Sequence, residues 1–232
     1  MNQEFVGRRR ELALIEAELA KSKMSLIIAY GRRRVGKSRL LREATKDRTR
    51  VLYQATRVTS GLNLESFKRE IAGSLGGSPV LEGLSDWEPV FHYLADCAAN
   101  AHPGLTVVID EFPYIADADR ALPSILQRFI DSGAPQRGNL KLILCGSAIS
   151  QMEELFVERS PLYGRKTMTL AVKPLPLRDA TRFFPDYGVE DKLKAYAVFG
   201  GIPFYLQLCD RDVSLRDNIT RLLLTETGAL VD

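Results

Sequence analysis

The sequence feature that most constrains the fold of this chain is the octapeptide GRRRVGKS, residues 31–38. It carries glycine, glycine, lysine and serine at the fixed positions of the phosphate-binding pattern G-x-x-x-x-G-K-[ST]. A short apolar run, residues 24–30, precedes the octapeptide, and a segment with helical spacing follows it. This order of strand, glycine loop and helix predicts the first unit of a parallel sheet that is covered by helices.

The residue types of the octapeptide indicate what it binds. Gly31 and Gly36 allow backbone conformations that a Cβ disfavours, so that successive N–H groups can surround a polyphosphate. We expect Lys37 to reach the β- and γ-phosphate oxygens and Ser38 to be a ligand of Mg²⁺. The three variable arginines are expected to point away from the phosphates, towards solvent, neighbouring acidic residues or a partner. The remaining predicted nucleotide-binding residues of this segment are Arg32, Arg33, Arg34, Val35 and Arg39.

Two adjacent carboxylates complete the predicted site. The stretch LTVVIDEFPY, residues 105–114, has the pattern of a buried strand that contains Asp110 and Glu111 near its end. Neighbouring residues of a strand point to opposite faces, so Asp110 can face Ser38 and the metal while Glu111 faces another group. We predict Asp110 as the second metal-shell residue and Glu111 as the base that activates water. The guanine-specific pattern N/T-K-x-D is missing, which favours ATP over GTP.

The remainder of the chain continues the alternation of helices and strands. Further strands are predicted over residues 50–56, 139–147 and 165–172, with amphipathic helices between them. Beyond residue 172 only helical patterns occur, interrupted by proline and glycine. The sequence therefore predicts an α/β P-loop core over residues 1–172 and a small helical lid over residues 173–232.

Composition narrows the class of protein. The chain has 232 residues, of which 45% are hydrophobic and 26% charged, as in ordinary globular proteins. The net charge of +3 does not favour nucleic-acid binding. The three widely spaced cysteines, Cys97, Cys145 and Cys209, predict reduced thiols rather than a zinc site. No signal peptide and no long apolar run is present, so we expect a cytoplasmic protein without a membrane partner.

Several further motifs occur in a fixed order along the chain. They are FVGRRREL, the phosphate loop, VVIDEFPY, LCGSAIS, PLYGRKT and FGGIPFYL. Together, over about residues 4 to 208, they resemble the archaeal/bacterial ATPase family, in the signal-transduction (STAND) branch of the AAA+-like P-loop ATPases. The resemblance implies an AAA+-like fold, with ATP or ADP and Mg²⁺ as ligands.

The resemblance also implies roles for residues at both ends of the nucleotide. Phe5, Val6 and Gly7 would lie against the adenine, with Arg8 nearby. Pro203 would begin the lid segment that closes over the base and the ribose. The alternative for the Gly-Gly-Ile-Pro segment is a plain turn between two helices.

Two catalytic roles follow from the resemblance as well. Ser147 would be the polar sensor of the γ-phosphate or of the attacking water, or else a cap of the next helix. Arg165 would be an arginine finger, which a neighbouring subunit of a homo-oligomer can receive, or else part of a structural ion pair.

The leading functional hypothesis is an ATP-hydrolysing regulatory switch. Members of the family usually carry a winged-helix segment and a further C-terminal domain, so this chain is expected to act on an output domain that it lacks. A DNA-associated ATPase is the first alternative, favoured by the arginine clusters at residues 8–10 and 32–34. The second is a nucleotide-binding module without turnover, which the intact lysine, serine and acidic pair disfavour.

Overall fold

The chain is described here by a computed structural model, which covers residues 5–230. Five parallel strands form one sheet in the order β2-β3-β4-β1-β5. The fold prediction, a parallel α/β sheet of the P-loop type, is confirmed. The strands are β1 Ser25–Tyr30, β2 Arg50–Gln54, β3 Thr106–Asp110, β4 Lys141–Gly146 and β5 Met168–Ala171.

The described residues group into two compact units. The larger unit contains residues 11–32 and 37–171 and holds the whole sheet. The smaller unit contains residues 5–10, 33–36 and 172–230, so four residues of the phosphate loop belong to it. None of the helices formed by residues 5–230 is long and apolar enough to cross a membrane.

The central strands are buried because their sequences are apolar on both faces. Every residue of β3 and β4 is buried, which requires cover on both sides of the sheet. Since neighbouring strands run parallel, their carboxyl ends meet at one edge of the sheet. There β1 is followed by the phosphate loop, β3 by Glu111 and β4 by Ser147. The sheet thereby brings together segments that are far apart in the sequence.

Most helices of the larger unit follow the predicted pattern with small shifts at their ends. The sequence pattern did not indicate three of them: the single turns Pro79–Glu82 and Ala134–Arg137, and the helix Phe112–Ala118. The helices are α1 Arg9–Leu19, which begins in the smaller unit, α2 Lys37–Ala44, α3 Ser60–Leu75, α4 Pro79–Glu82, α5 Trp87–Asn100, α6 Phe112–Ala118, α7 Leu122–Asp131, α8 Ala134–Arg137 and α9 Ile149–Glu154.

The predicted strand over residues 105–114 was wrong in its second half. Strand β3 ends at Asp110, and α6 begins at Phe112. Glu111 between them adopts a left-handed conformation, with φ 52° and ψ 39°, which turns the chain out of the sheet. Pro113 stands in the first turn of α6, where its missing N–H costs nothing. The two carboxylates therefore do not alternate on one strand.

The smaller unit has a core of its own, built from short helices. Phe184, Phe199 and Leu206 are among its buried residues. Gly201 cannot be replaced without movement, because a Cβ there would lie 2.0 Å from the Leu175 carbonyl oxygen. Its helical segments are α10 Leu177–Ala180, a 3₁₀ turn Thr181–Phe183, α11 Val189–Phe199, α12 Pro203–Leu208, α13 Leu215–Ile219 and a π-helical turn Thr220–Leu224.

Candidate nucleotide site

The side chain of Lys37 lies inside the phosphate loop. It is the first residue of α2 and only 6% exposed. Its Nζ donates hydrogen bonds to the carbonyl oxygens of Gly31 at 2.8 Å and Arg32 at 3.2 Å. An ammonium that is ordered in this way at a helix N-terminus, where the helix dipole is positive, fits the binding of a polyphosphate.

Ser38 and Asp110 meet across the gap between α2 and β3. The Ser38 hydroxyl donates a hydrogen bond to Asp110 Oδ2, and Asp110 is almost fully buried. A hydroxyl and a carboxylate are oxygen ligands of the kind that Mg²⁺ accepts. Within residues 5–230 no group of three or more His, Cys, Asp or Glu side chains could hold a metal by itself. The oxygens of Ser38 and Asp110 fit Mg²⁺, which takes few protein ligands and completes its shell with waters and phosphates.

Glu111 and Ser147 form the second pair at this edge. Glu111 Oε2 accepts a hydrogen bond from Ser147 Oγ at 2.9 Å and another from Ser147 N at 3.2 Å. The two residues follow β3 and β4, which are neighbours in the sheet. A half-buried carboxylate that is fixed through one oxygen leaves its other oxygen for a further contact.

Ser147 does not cap the helix that follows it. The residue at the N-terminal cap of α9 is Ala148, and no side chain caps that helix. The alternative interpretation of Ser147 as a helix cap is therefore wrong. Because Gly146 has no Cβ, the end of β4 can pack closely against α6; a Cβ there would lie 2.8 Å from Pro113 Cδ.

Cys145 lies below the acidic pair in β4. Burial is the main reason that the pKa of its thiol is raised well above the ordinary value, and the nearby Asp110 carboxylate raises it further. The thiol is therefore neutral and adds no charge beside the two carboxylates.

Arg8 is a buried arginine of the smaller unit. Its side chain is 4% exposed, and its guanidinium donates to Lys173 O at 2.6 Å and to Val35 O at 2.7 Å. These contacts lie within the smaller unit and hold the backbone of the phosphate loop. An adenine contact of Arg8 stays a prediction.

The three residues before Arg8 are also placed in the smaller unit. Phe5 and Val6 are half-buried, and Val6 packs against the core of that unit. Gly7 has φ +73°, and a Cβ there would lie 2.7 Å from the Asp179 carboxyl group. Their predicted contact with adenine remains a prediction.

The variable arginines of the loop are exposed. Arg32, Arg33 and Arg34 are all accessible, and Arg39 on α2 is half-buried. From the sequence, solvent, neighbouring acidic residues and a partner were all possible surroundings of these side chains. For Arg34 the neighbour is a ring of the same chain: its guanidinium carbon lies 4.5 Å from the centre of the Phe204 ring.

Pro203 begins α12 beside the phosphate loop, within the smaller unit. A Cβ on Gly36 would lie 3.6 Å from Pro203 Cγ, which is an ordinary contact distance. Val35, the residue before Gly36 in the loop, is fully buried. The predicted closure of Pro203 over base and ribose stays a prediction.

Arg165 forms a structural ion pair in the larger unit. Its Nε and Nη2 donate to both carboxylate oxygens of Asp131, at 2.8 and 2.7 Å, and its Nη1 donates to the carbonyls of Pro161 and Tyr163. The hydrogen bonds with Arg165 lower the pKa of Asp131, and those with Asp131 raise the pKa of Arg165. The structure thus shows the ion pair that the sequence left open, and a finger role of Arg165 stays a prediction.

Asn63 on α3 is a residue whose importance the sequence did not reveal. It is completely buried, accepts hydrogen bonds from Tyr53 Oη and Thr56 N, and donates to three backbone carbonyls of residues 56–59. It fixes the loop after β2, where Ala55 N donates to Asp110 O. The available signal was a single asparagine on the apolar face of an amphipathic helix.

A family model described as an ATPase domain predominantly from Archaea matches residues 5–209. The chain belongs to this family. The resemblance that its motifs suggested is thereby confirmed for the archaeal P-loop ATPases.

Curated relatives come from Methanocaldococcus jannaschii. One, an uncharacterized protein, is 35% identical over 205 residues, which are 88% of this chain and 43% of the relative. Another, an uncharacterized ATP-binding protein, is 49% identical over 39 residues, or 17% of this chain and 66% of that protein. This ATPase domain thus spans less than half the length of the longer relative.

Solved structures share the fold of this ATPase domain. A Walker-type ATPase of Pyrococcus abyssi superposes with a TM-score of 0.72 at 24% identity, over 95% of this chain and 72% of that one. An ORC2 protein of Aeropyrum pernix with bound ADPNP and ADP superposes with a TM-score of 0.58 at 19% identity, over 78% of this chain and 51% of that one. A STAND protein of Pyrococcus horikoshii with a tetratricopeptide repeat sensor superposes with a TM-score of 0.60 at 18% identity, over 94% of this chain and 32% of that one.

Proposed function

We propose that this ATPase domain binds Mg²⁺ and ATP and hydrolyses ATP to ADP and phosphate. The observation that carries the proposal is the pair of contacts at one edge of the sheet, Ser38 with Asp110 and Glu111 with Ser147. The first pair offers oxygen ligands for a magnesium ion, and the second offers an oriented carboxylate. A binding module without turnover has no need for the second pair.

The residues of the site divide the work between binding and proton transfer. Lys37 exchanges its two loop carbonyls for phosphate oxygens, while Ser38 and Asp110 hold the metal ion. When bound, Mg²⁺ supplies positive charge that neutralises the phosphates. Glu111 accepts a proton from the attacking water, and Ser147 keeps the carboxylate in place.

Other parts of the proposal rest on the family resemblance. In it, Phe5 to Arg8 and Pro203 contact the base and ribose, Arg165 acts as a finger in a homo-oligomer, and the domain switches an output domain in the cytoplasm. Slow turnover suits such a switch, because its product is a conformational state. The ADPNP and ADP bound to the Aeropyrum pernix protein, and the name of the Methanocaldococcus ATP-binding protein, support nucleotide binding.

The experiment compares nucleotide affinity with phosphate release. We expect Lys37→Ala to lose affinity for Mg·ADP in calorimetry, because the loop then lacks its ammonium. We expect Glu111→Gln to bind as the wild type does and to lose turnover by about 10²- to 10⁴-fold, the range for removal of a general base. Glu158→Gln, an exposed acid far along the chain, is the matched control and should change neither quantity.

Two results would count against the proposal. An absence of phosphate release from both the wild type and Glu111→Gln, even at high protein concentration, contradicts the catalytic part and leaves a binding module. Absence of Mg·ADP binding by the wild type contradicts the whole proposal.

A DNA-associated role is the second candidate. Arg9, Arg10 and the arginines at residues 32–34 are exposed, which favours contact with phosphate backbones. Duplex binding that falls steeply between 50 and about 200 mM salt would support this role. No binding at the lower concentration would dismiss it.

A further inference from the structure

Arg34 has a backbone conformation that its own residue type disfavours. Its φ is +66°, in the left-handed region where side chains other than those of glycine, asparagine and aspartate are uncommon. Such residues persist when the surrounding structure holds them in place. The contacts of residues 34–36 should therefore reveal what keeps the phosphate loop in this shape.

Loop residues 34–36 belong to the smaller unit, and each of them contacts another residue of that unit. The Arg34 guanidinium lies over the ring of Phe204, the Val35 carbonyl accepts a hydrogen bond from Arg8, and Gly36 lies beside Pro203. These contacts do not involve any ligand. The backbone that would surround the phosphates is therefore held by contacts within the protein itself.

Phe204 differs from the core aromatic residues of its unit. Its side chain is 38% exposed, whereas Phe184 and Phe199 are buried. The ring is thus only partly buried, and beside its edge contact with Tyr205 it carries the guanidinium of Arg34 over its face. A cation over an aromatic face is attracted to the negative charge of the π system.

We propose that Phe204 is a positioning residue of the phosphate loop. Its ring fixes Arg34 and thereby preorganises the loop backbone before nucleotide arrives. A preorganised loop loses less conformational entropy on binding, so the contact raises nucleotide affinity without touching the nucleotide. The consequence for affinity rests on the proposed function, whereas the order of the loop does not.

The test uses variants that separate the aromatic face from the volume of the side chain. Phe204→Leu keeps an apolar side chain without a π face, Phe204→Tyr keeps the face, and Arg34→Ala removes the cation. Arg178→Ala removes another exposed arginine of the same unit and is the matched control. Hydrogen–deuterium exchange of the amides of residues 33–36 is measured without nucleotide, and Mg·ADP affinity is measured by calorimetry.

We expect faster exchange of these amides in Phe204→Leu and in Arg34→Ala, by about two- to fivefold, the factor that an exposed cation–π contact supplies. Mg·ADP affinity should fall by the same factor. The double variant should resemble either single variant, since both remove one interaction. Phe204→Tyr and Arg178→Ala should behave as the wild type does in both measurements.

The outcomes separate this inference from the proposed function. Unchanged exchange in Phe204→Leu, or effects of Phe204→Leu and Arg34→Ala that add up, would overturn the inference. Equal acceleration across all segments of the smaller unit would also overturn it, because Phe204 would then only stabilise that unit. Faster loop exchange in a protein that binds no Mg·ADP would support the inference and refute the function.

Discussion

Replacement of Ser147 by alanine is expected to lower the rate of ATP hydrolysis while it leaves nucleotide affinity intact. The Ser147 hydroxyl donates to Glu111 Oε2 at 2.9 Å, and the Ser147 backbone N–H donates to the same oxygen at 3.2 Å. Alanine removes the first donor and keeps the second. The carboxylate of Glu111 then has one anchor instead of two.

The size of the effect follows from the kind of bond that is lost. A hydrogen bond to a charged group contributes about 1.5–3 kcal/mol. The lower end applies here, because the pair is half-buried and the backbone donor remains. With about 1.4 kcal/mol for each factor of ten in rate, kcat should fall about tenfold.

The assay is phosphate release under saturating Mg·ATP, with Mg·ADP affinity measured in parallel. Ser147→Thr keeps a hydroxyl and should recover most of the rate, whereas Ser147→Ala should not. An unchanged kcat in Ser147→Ala would refute the reasoning. A loss of affinity as large as the loss of rate would show instead that the hydroxyl contacts the nucleotide.

Two further predictions concern stability, and both are measured by urea unfolding. Asn63→Ala should cost about 2–4 kcal/mol, because the buried Tyr53 hydroxyl loses its acceptor and the loop of residues 56–59 loses its bonds to the Asn63 amide, whereas Leu62→Ala at an exposed neighbouring position should cost under about 0.5 kcal/mol; equal losses would contradict the role of Asn63. For Lys141, burial lowers the pKa from 10.5 to about 8, so between these pH values the unfolded chain binds more protons than the folded protein. The free energy of unfolding of the wild type should therefore rise relative to that of Lys141→Met between pH 8 and 10, and a constant difference would contradict this.

The sequence predicted the elements of the sheet because their signals are local. The apolar runs that became β1, β3 and β4 are long enough to identify strands without any tertiary information. The order of the strands in the sheet was not predicted from these runs. Which strands become neighbours depends on crossovers, and short sequence patterns do not record them.

The error at the end of β3 has a local cause. Phe112, Pro113 and Tyr114 continue the apolar run beyond the two carboxylates, so the pattern did not mark the end of the strand. The left-handed conformation of Glu111 ends the strand one residue earlier, and its residue type does not predict that conformation. The proline in the first turn of a helix was the one available signal.

The sequence identified the chemistry of the loop but not its supports. Lys37, Ser38 and Asp110 are indicated by a motif and by the end of a strand. Arg8 and Phe204 act through residues that are distant in sequence, by a bond to a backbone carbonyl and by a ring face. Such contacts depend on side-chain geometry rather than on residue type, so no spacing rule reveals them.

The assignment of residues 33–36 to the smaller unit has a consequence for biosynthesis. The ribosome releases Arg34 well before Phe204, and at typical elongation rates the interval is roughly ten to thirty seconds. During that time the nascent chain already carries its lysine and serine but not the ring that orders the loop. If Phe204 positions the loop as proposed, full affinity for nucleotide is reached only late in translation, after the whole sheet has emerged, and a chain that stops before Phe204 should bind nucleotide about two- to fivefold more weakly.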